Sequence, residues 1–335
     1  MRKIIGLGIA VLVVVALWIA GWFWAAGEAR RQIALLAEND GETAPLLTCG
    51  TLDVSGFPFR FDVTCGSAEM VSGDETLTIK GIKASVLVYN PTHVIFSAIS
   101  PYTMANAFTG SQSRVDFTSL EGSARVEASD LLKGFSGEGW RIARVSVVAD
   151  GLVWNDTVIS DILQAKATHL EAHLVDIPEQ HDRARGIAAL AAYLDVKGLD
   201  APGFEIAAGD GSLEAQLSGL PDDLRDFSDP DIVRRWQQAG GILKLVRLAG
   251  TQPQPDERFE ISGTASLSDT GLVNGQISYT TKGVLDRFAK LLPALQLVAL
   301  KGKPEADGSF SNGLNLVDGQ LKLIAIPLLD IPPLF

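Results

Sequence analysis

The feature that most constrains this chain is an uninterrupted apolar segment near its start, "IIGLGIAVLVVVALWIAGWFWAAG" at residues 4–27. As a helix these uncharged residues would extend about 36 Å, enough to cross a hydrocarbon core of about 30 Å with some tilt. Trp18, Trp22 and Trp24 lie toward its C-terminal end, where indole rings favour the headgroup level of a bilayer. We therefore expect one transmembrane helix, with the bulk of the chain exported.

A cleaved signal peptide is the alternative interpretation of the same segment. The basic start, Arg2 and Lys3, and the small residues of "WAAGEA" both fit such a signal. The apolar run is longer than the usual h-region of about 7–15 residues, which favours an uncleaved anchor. The basic start also favours a cytoplasmic amino end, although Arg30 and Arg31 nearly balance it after the segment. Residues 28–335 are exported under either interpretation.

The exported part is acidic. Removing Arg2 and Lys3, the basic residues before the apolar segment, from 28 basic against 40 acidic residues leaves a net charge of −14. Such a surface repels nucleic acid, so we expect no nucleic-acid partner. We expect a stalk at residues 28–44 and a single β-rich exported domain at residues 45–335, because no composition shift marks a further boundary.

Both cysteines of the chain flank one alternating ribbon, "CGTLDVSGFPFRFDVTCG" at residues 49–66. A disulfide between Cys49 and Cys65 in an oxidising compartment fits this pattern better than a metal site, which needs about four ligands. Two buried free thiols are the alternative. We expect a hairpin that turns at Gly56-Phe57-Pro58. A one-residue bulge at Gly50 or Gly66 is also expected, because aligning the apolar face conflicts with placing the two cysteines opposite each other.

Alternating apolar and polar residues recur along the exported part and are typical of antiparallel strands with one wet face. They occupy residues 77–89, 113–128, 141–154 and 166–177. Asp-Gly and Asn-Gly dipeptides predict turns between strands. They start at Asp40, Asp150, Asp210, Asn274, Asp307, Asn312 and Asp318.

Three segments of the second half have the apolar spacing of amphipathic helices, at residues 181–195, 228–248 and 283–300. Gly240-Gly241 and Pro293 are expected to interrupt the second and the third. The predicted fold is therefore mainly β with some α: a long curved antiparallel sheet with amphipathic helices packed on its apolar face. Such a sheet either closes as an ordinary core or opens as a groove for acyl chains, with Trp236, Phe288 and Leu292 as candidate lining residues.

The search for catalytic chemistry is mostly negative. The chain has no nucleophile elbow, phosphate-binding loop, H-E-x-x-H or C-x-x-C motif. His169, Glu171 and His173 share one strand face and His181 follows, but ligands two residues apart point the same way about 6.6 Å apart. We expect a solvated strand face there, and a solvated helix-entry loop at the aspartates of residues 222–231. No metal, cofactor or enzymatic activity is predicted.

A family resemblance rests on the ribbon motif, on its cysteines and on the C-terminal "IPLLDIPPLF". With Gly56, Phe57, Pro58, Phe59 and Arg60 between Cys49 and Cys65, the chain resembles the exported Gram-negative proteins catalogued as domain of unknown function 2125. The resemblance spans nearly the whole chain and implies an architecture, not a mechanism. More distantly, the strand pairs and intervening helices are similar to AsmA-type envelope proteins, which combine a membrane helix, an elongated β groove and roles in outer-membrane lipid or protein homeostasis.

Two functional hypotheses follow. The first is a non-enzymatic protein, anchored in the inner membrane by residues 4–27 with its bulk in the periplasm, whose β groove binds lipid. The second is a structural or assembly factor that binds another envelope protein and no lipid.

Overall fold

The structure, a computed structural model, describes residues 2–42, 46–127, 140–287, 293–323 and 326–335. It begins with one long helix, α1 (Arg2–Leu35), which a 3₁₀ turn at Leu36–Glu38 follows. Later helices in the described part are short: α2 (Ile232–Gln238), α3 (Val284–Arg287) and α4 (Ala294–Lys301). Among the described residues, α1 is the one helix long and apolar enough to cross a membrane.

Strands make up most of the remaining chain. They are β1 (Leu46–Ser55), β2 (Arg60–Ser72), β3 (Glu75–Leu87), β4 (Asn90–Asn106), β5 (Gln112–Asp116), β6 (Ser119–Val126), β7 (Ile142–Asp156), β8 (Ile162–Asp176), β9 (Ile187–Ala201), β10 (Ile206–Pro221), β11 (Ile242–Gln252), β12 (Glu257–Leu267), β13 (Val273–Lys282), β14 (Lys303–Pro304), β15 (Phe310–Val317), β16 (Gln320–Leu323) and β17 (Ile326–Asp330). Over the described residues they form an antiparallel sheet of 17 strands, which confirms the predicted mainly-β fold.

The chain divides into two compact units. Unit 1 consists of Met1–Ser123 and Val153–Ile162. In it β1 to β5 follow one another as an antiparallel meander, and β5 also pairs with the last residues of β7. α1 packs on the first hairpin of this meander. Unit 1 therefore holds the predicted anchor and the cysteine ribbon together.

Unit 2 consists of Ala124–Leu152 and Leu163–Phe335. Antiparallel neighbours run from β8 through β9, β10, β11 and β12 to β13, and β13 pairs with β15. β15 continues to β14 on one side and to β16 and β17 on the other. The greasy C-terminal segment thus enters the sheet as a strand, β17.

The helix prediction at residues 181–195 is wrong, because most of this segment is the central strand β9. Ala188, Ala189 and Leu190 are consecutive buried residues between β8 and β10. A strand that is buried on both faces is a continuous run of apolar residues. Such a run has no periodicity by which a strand can be distinguished from a helix. The small alanines fit between the neighbouring strands. Their abundance resembles the composition of a helix.

The helices predicted at residues 228–248 and 283–300 are right in place, and the first of these two is too long. The helix predicted at residues 228–248 is limited to α2, because Gly240 takes a positive φ of 74° and the chain then continues as β11. In the third segment α4 starts directly after Pro293, whose own backbone is not helical. The predicted interruptions at Gly240-Gly241 and Pro293 are confirmed.

Four of the predicted turns lie inside strands: those at Asp150, Asp210, Asn274 and Asn312 fall in β7, β10, β13 and β15. At Gly275 the reason is close approach between strands, because an added Cβ would meet the carbonyl oxygen of Thr264 at 2.0 Å. Asp307-Gly308 and Asp318-Gly319 do form turns. An Asp-Gly or Asn-Gly dipeptide therefore indicates one of two structures, a reversal of the chain or a tight contact between strands.

Candidate functional site

The most apolar cavity described in unit 2 has a volume of about 330 Å³, at the small end of the range of about 300–1,000 Å³ for ligand pockets. Its floor is one face of β9 to β12. Leu194, Leu213 and Leu248 stand opposite one another in successive strands and form one row of it. This row follows from period-2 alternation, which puts every second residue of each strand on the same face.

The next row of the floor is hollow. Val196 pairs with Gly211, Gly211 with Gly250, and Gly250 with Phe259. Two glycines in the middle of the row leave space where side chains would otherwise stand, and the Phe259 ring lies across Gly250. The cavity therefore exists because small residues interrupt an otherwise greasy sheet face.

The wall opposite the floor comes from two short helical segments. Phe204, in a 3₁₀ turn at Pro202–Phe204, and Val284 of α3 both line the cavity, and Phe204 is largely exposed at its mouth. Residues 288–292, which follow α3, lie outside the described residues. The predicted lining residues Phe288 and Leu292 are among them.

One ion pair closes the polar end of the cavity. The Arg287 Nε donates to both carboxylate oxygens of the mostly buried Glu257, at 3.0 and 2.8 Å. Its Nη1 and Nη2 also donate to the carbonyl oxygens of Phe204 and Glu205, at 2.5 and 3.1 Å. The hydrogen bonds to Glu257 raise the pKa of Arg287. These contacts balance the positive charge of the Arg287 guanidinium, so the interior of the cavity is apolar.

Trp236, the remaining predicted lining residue, has a different role. Its Nε1 donates to the carbonyl oxygen of Ser218 at 2.7 Å, and its ring covers Gly241. An added Cβ at Gly241 would come within 2.2 Å of the ring nitrogen. The Trp236 side chain therefore holds the end of α2 against β10.

The predicted disulfide between Cys49 and Cys65 is present, with Cα atoms 5.3 Å apart. Their sequence separation of 16 corresponds to a restriction of the unfolded chain of about 3 kcal/mol on the loop-entropy model. The hairpin keeps one constant register that aligns the apolar face, with Val54 opposite Val63. The choice between the two thiol interpretations is thus settled in favour of the bridge.

The predicted bulge is wrong, because the pairing of β1 with β2 shows no register shift. Cys49 stands opposite Ala68, and Cys65 stands opposite Leu52, so the bridge is diagonal. A straight strand separates residues 49 and 52 by about 10 Å, so a 5.3 Å Cα distance requires the ribbon to bend between them. Ser67, with a positive φ of 51°, marks that bend opposite Gly50.

The family motif forms the turn of the hairpin, as predicted. Gly56 has a φ of 99°, and its carbonyl oxygen accepts from the Arg60 amide at 3.1 Å. A Cβ at Gly56 would come within 2.8 Å of the Arg60 carbonyl oxygen, so only glycine fits this turn. Phe57 and Phe59 are exposed.

The hairpin packs on α1. Trp22 and Ala26 of α1 and Val54 of β1 form a buried cluster, and the Trp22 ring stacks on Phe61 at 5.2 Å. The Trp22 Nε1 donates to the Arg60 carbonyl oxygen at 3.1 Å. The sequence predicted the hairpin and the helix separately. The contact between them was not predicted. Trp18, Trp22 and Ala26 are each four residues apart, which places them on one face of a helix, and this spacing was the available signal.

The histidines are held by carboxylates. The His169 Nδ1 lies 2.7 Å from Asp150 and its Nε2 lies 3.0 Å from Glu171, while the His173 Nε2 lies 3.5 Å from the same Glu171. His181 pairs separately with Asp176 at 2.5 Å, in a buried position. The hydrogen bond to Asp150 raises the pKa of His169, with a smaller contribution from Glu171. Among the residues that the structure describes, no three such side chains are grouped as metal ligands.

The aspartates that precede α2 bind arginines. Asp226 and Asp229 both accept from Arg235, at 3.0 and 2.9 Å. Asp223 accepts from Arg225, which holds the pKa of Asp223 below its ordinary value. The loop is therefore a network of surface ion pairs. That the chain binds no metal stays a prediction.

Together the described residues define a class: a mainly-β protein in which they include one candidate membrane-spanning helix, at the N-terminal end, and an apolar cavity in the sheet. The chain belongs to the family described as "uncharacterized protein conserved in bacteria (DUF2125)", whose family model matches residues 22–332. No curated protein and no solved structure matches the chain. The match starts at Trp22, inside α1, and so includes the part of the helix that packs on the hairpin.

Proposed function

We propose that this protein is a membrane-anchored envelope protein that binds an acyl chain in the cavity of unit 2. α1 is the anchor in the inner membrane, and the bulk of the chain lies in the periplasm. The observation that carries the proposal is the cavity of about 330 Å³, with a floor of leucine, valine and glycine. The resemblance to AsmA-type proteins is part of this proposal, because it also rests on the strand pairs of the sheet.

The chemistry of the lining supports an alkyl ligand. Leu194, Leu213 and Leu248 offer dispersion contacts and no hydrogen bonds, which suits a hydrocarbon chain. Glu257 and Arg287 neutralise each other at the polar end. A charged group placed inside the cavity would have to break that pair, at the cost of leaving one partner without its counter-ion, so the ligand's charged headgroup stays outside. We propose a binding role without cofactor for the same reason, because the nearest titratable groups are already engaged with each other.

A photoreactive fatty acid tests the proposal on the full chain in detergent. Palmitate that bears a diazirine is cross-linked, and the adducts are mapped by peptide mass spectrometry. We expect adducts in the segments from β9 to β12, which line the cavity. Adducts on α1 are expected in every sample, because any alkyl probe in a micelle meets a membrane helix, and they serve as the internal standard.

Two matched variants separate cavity binding from surface labelling. Gly211→Leu places a leucine in the cavity, where an added Cβ meets only the Ala249 carbonyl oxygen, at 3.9 Å. Ser212→Leu introduces the same side chain one residue later, on the opposite, polar face of β10, where the Ser212 hydroxyl accepts from the Arg247 guanidinium at 2.9 Å. Cavity adducts should fall several-fold in Gly211→Leu and persist in Ser212→Leu. Equal labelling of both variants, or labelling of α1 alone in the native chain, would refute acyl binding in this cavity.

One observation favours the alternative, an assembly factor that binds another envelope protein. Phe108, 84% exposed, and Ile159, 92% exposed, lie in loops of unit 1 that are brought close by a hydrogen bond from the Thr157 amide to the Gln112 carbonyl oxygen, 2.9 Å long. Exposed apolar loop tips of this kind are typical of protein contacts. Under this alternative, a photoreactive phenylalanine at position 108 or 159 cross-links one discrete protein in cells. The same probe at the exposed strand residue Lys80 gives no such product, and the fatty acid labels only α1.

A further inference from the structure

The surroundings of α1 change part of the way along its length. From Ile5 to Leu17 the large apolar side chains are 47–70% exposed around the whole helix, as expected for residues that face lipid. Trp22 and Ala26 are only 6% and 2% exposed, because the hairpin of β1 and β2 covers them. The apolar segment therefore has a lipid-facing part and a protein-covered part, which the amino-acid pattern alone does not separate.

The contacts fix the direction in which the hairpin lies on the helix. Trp18 Nε1 donates to the Pro58 carbonyl oxygen at 3.2 Å, at the turn. Further along α1, the Arg30 Nη2 donates to the Val54 carbonyl oxygen at 2.8 Å, inside β1. The turn of the hairpin is thus nearest to the N-terminal, lipid-facing part of α1, and the strands lead away from it.

The end of unit 1 that faces in this direction carries exposed aromatic rings. Phe57 and Phe59 stand at the first turn and Tyr89 at the turn between β3 and β4, and all three are exposed. The two turns are joined by a hydrogen bond from the Val88 amide to the Phe59 carbonyl oxygen, 2.9 Å long. Phe23 stacks on Phe57 at a centroid distance of 5.9 Å, which links the turns to the helix. Aromatic rings gathered at one level of a membrane protein favour the headgroup region.

A charge sets the depth of this level. Arg60 is half exposed, pairs with Asp62 at 2.6 Å and lies beside Trp22 through its carbonyl oxygen. An arginine at the centre of a bilayer costs about 2.5–3.5 kcal/mol on insertion scales, so the hydrocarbon boundary lies at or before Trp22. From Ile4 to Gly21 the helix then extends about 27 Å, which matches a hydrocarbon core of about 30 Å.

We propose that the two turns, with Phe57, Phe59 and Tyr89, are inserted into the headgroup region of the bilayer that α1 crosses. The membrane span then ends near Gly21, and the remainder of α1 packs against unit 1 along one face, through Trp22 and Ala26. The partner of this surface is lipid, because the turns are attached to the membrane helix itself at the depth of its tryptophans. Unit 1 thus rests on the bilayer and is not held away from it by a stalk.

Spin-label accessibility in vesicles tests this depth. The full chain is reconstituted in vesicles of phosphatidylethanolamine and phosphatidylglycerol, with a nitroxide at Phe59→Cys, at Tyr89→Cys or at the control position Phe108→Cys. The native cysteines are bonded to each other, so only the introduced thiol reacts. Phe108 is in the turn between β4 and β5, at the other end of the strands from the turn that holds Tyr89.

The proposal predicts that labels at positions 59 and 89 collide preferentially with oxygen, which concentrates in the bilayer. The label at position 108 should collide preferentially with a water-soluble nickel complex. The oxygen-to-nickel ratio is expected to differ several-fold between the two ends. An aqueous ratio at both 59 and 89 would overturn the proposal. Low accessibility to both reagents there would overturn it as well, because the turns would then be covered by protein. Two independent tip positions protect the result against one misfolded variant.

Discussion

Gly250 and Gly211 are paired neighbours on the cavity floor, but their surroundings differ. A Cβ added at Gly250 would approach the Phe259 ring to 2.5 Å, whereas one added at Gly211 would meet its nearest atom at 3.9 Å. The first glycine is required by an aromatic ring in contact with the backbone, and the second leaves open space. Two residues of the same type in adjacent strands therefore have different tolerance to change.

Gly250→Ala is expected to destabilise the protein by about 1–3 kcal/mol, because the Phe259 ring must move to admit the methyl group. Gly211→Ala is the matched control and should be neutral or stabilising by about 0.5–1 kcal/mol, since alanine loses less backbone freedom on folding. Thermal unfolding in detergent measures both variants. Equal transition temperatures for the two would contradict the assigned contact.

The His169 and Glu171 pair gives a pH dependence whose sign can be worked out. The hydrogen bonds to Asp150 and Glu171 raise the pKa of His169 above 6.5, so its contribution to stability is full below pH 6.5 and is lost as pH rises through the raised value. The hydrogen bond from His169 lowers the pKa of Glu171 below 4.5, so that contribution is lost as pH falls through the lowered value. The pair is therefore most stabilising between pH 4.5 and 6.5.

Asp150→Asn is expected to lower the pKa of His169 toward 6.5, because it removes the larger of the two causes. A titration of the imidazole resonances by NMR measures this directly. Asp156→Asn, in the same strand β7, is the matched control, because the Asp156 carboxylate accepts from the Val158 amide, and it should leave the His169 midpoint unchanged. An unchanged His169 midpoint in Asp150→Asn would show that the 2.7 Å contact does not form in solution.

At the scale of elements, the contact between α1 and the first hairpin explains why a candidate membrane helix and a disulfide ribbon occur next to each other. The Trp22 ring fills the space between helix and hairpin and stacks on Phe61, and the disulfide holds β1 to β2 at the far end of the ribbon. The helix thus contributes to the core of unit 1 in addition to its proposed role as a membrane anchor.

Trp22→Ala is expected to cost about 3–5 kcal/mol, as for a large aromatic residue removed from a core. Trp24→Ala is the matched control, because Trp24 is in the same helix but 74% exposed, and its loss should leave the stability of unit 1 nearly unchanged. Limited proteolysis of the full chain in detergent, followed at the hairpin, measures both. Similar cleavage rates for the two variants would argue against the buried cluster.

Much of this architecture was predictable from local patterns. Alternation located the first strands and the ribbon, and Gly240-Gly241 and Pro293 marked the helix boundaries correctly. The strand β9 was missed because a central strand buried on both faces, such as Ala188 to Leu190, loses the period that identifies it. The sequence predicted a groove in the apolar sheet face but did not place it at β9 to β12, because the hollow there depends on Gly211 and Gly250 being paired across strands, and such long-range pairing leaves no local signal.

At the scale of the whole molecule, the buried state of Trp22 and Ala26 favours a retained anchor over a cleaved signal peptide. Removal of residues 1–27 would expose Val54, Phe61 and Val63, which these two side chains cover. We expect the intact mass of the protein isolated from membranes to include this segment, and the protein to resist extraction by alkaline carbonate. A mass that corresponds to cleavage within "WAAGEA" would identify the segment as a signal.

The covered position of Ala26 also bears on the proposed export of the chain. A peptidase binds its small-residue site as an extended strand, whereas Ala25-Ala26-Gly27 is helical and Ala26 packs against Val54 once the hairpin has folded. Cleavage and folding of the ribbon therefore compete for the same residues, and whichever is faster decides the outcome. Formation of the bond between Cys49 and Cys65 stabilises the ribbon, and it would then protect the proposed membrane anchor from cleavage.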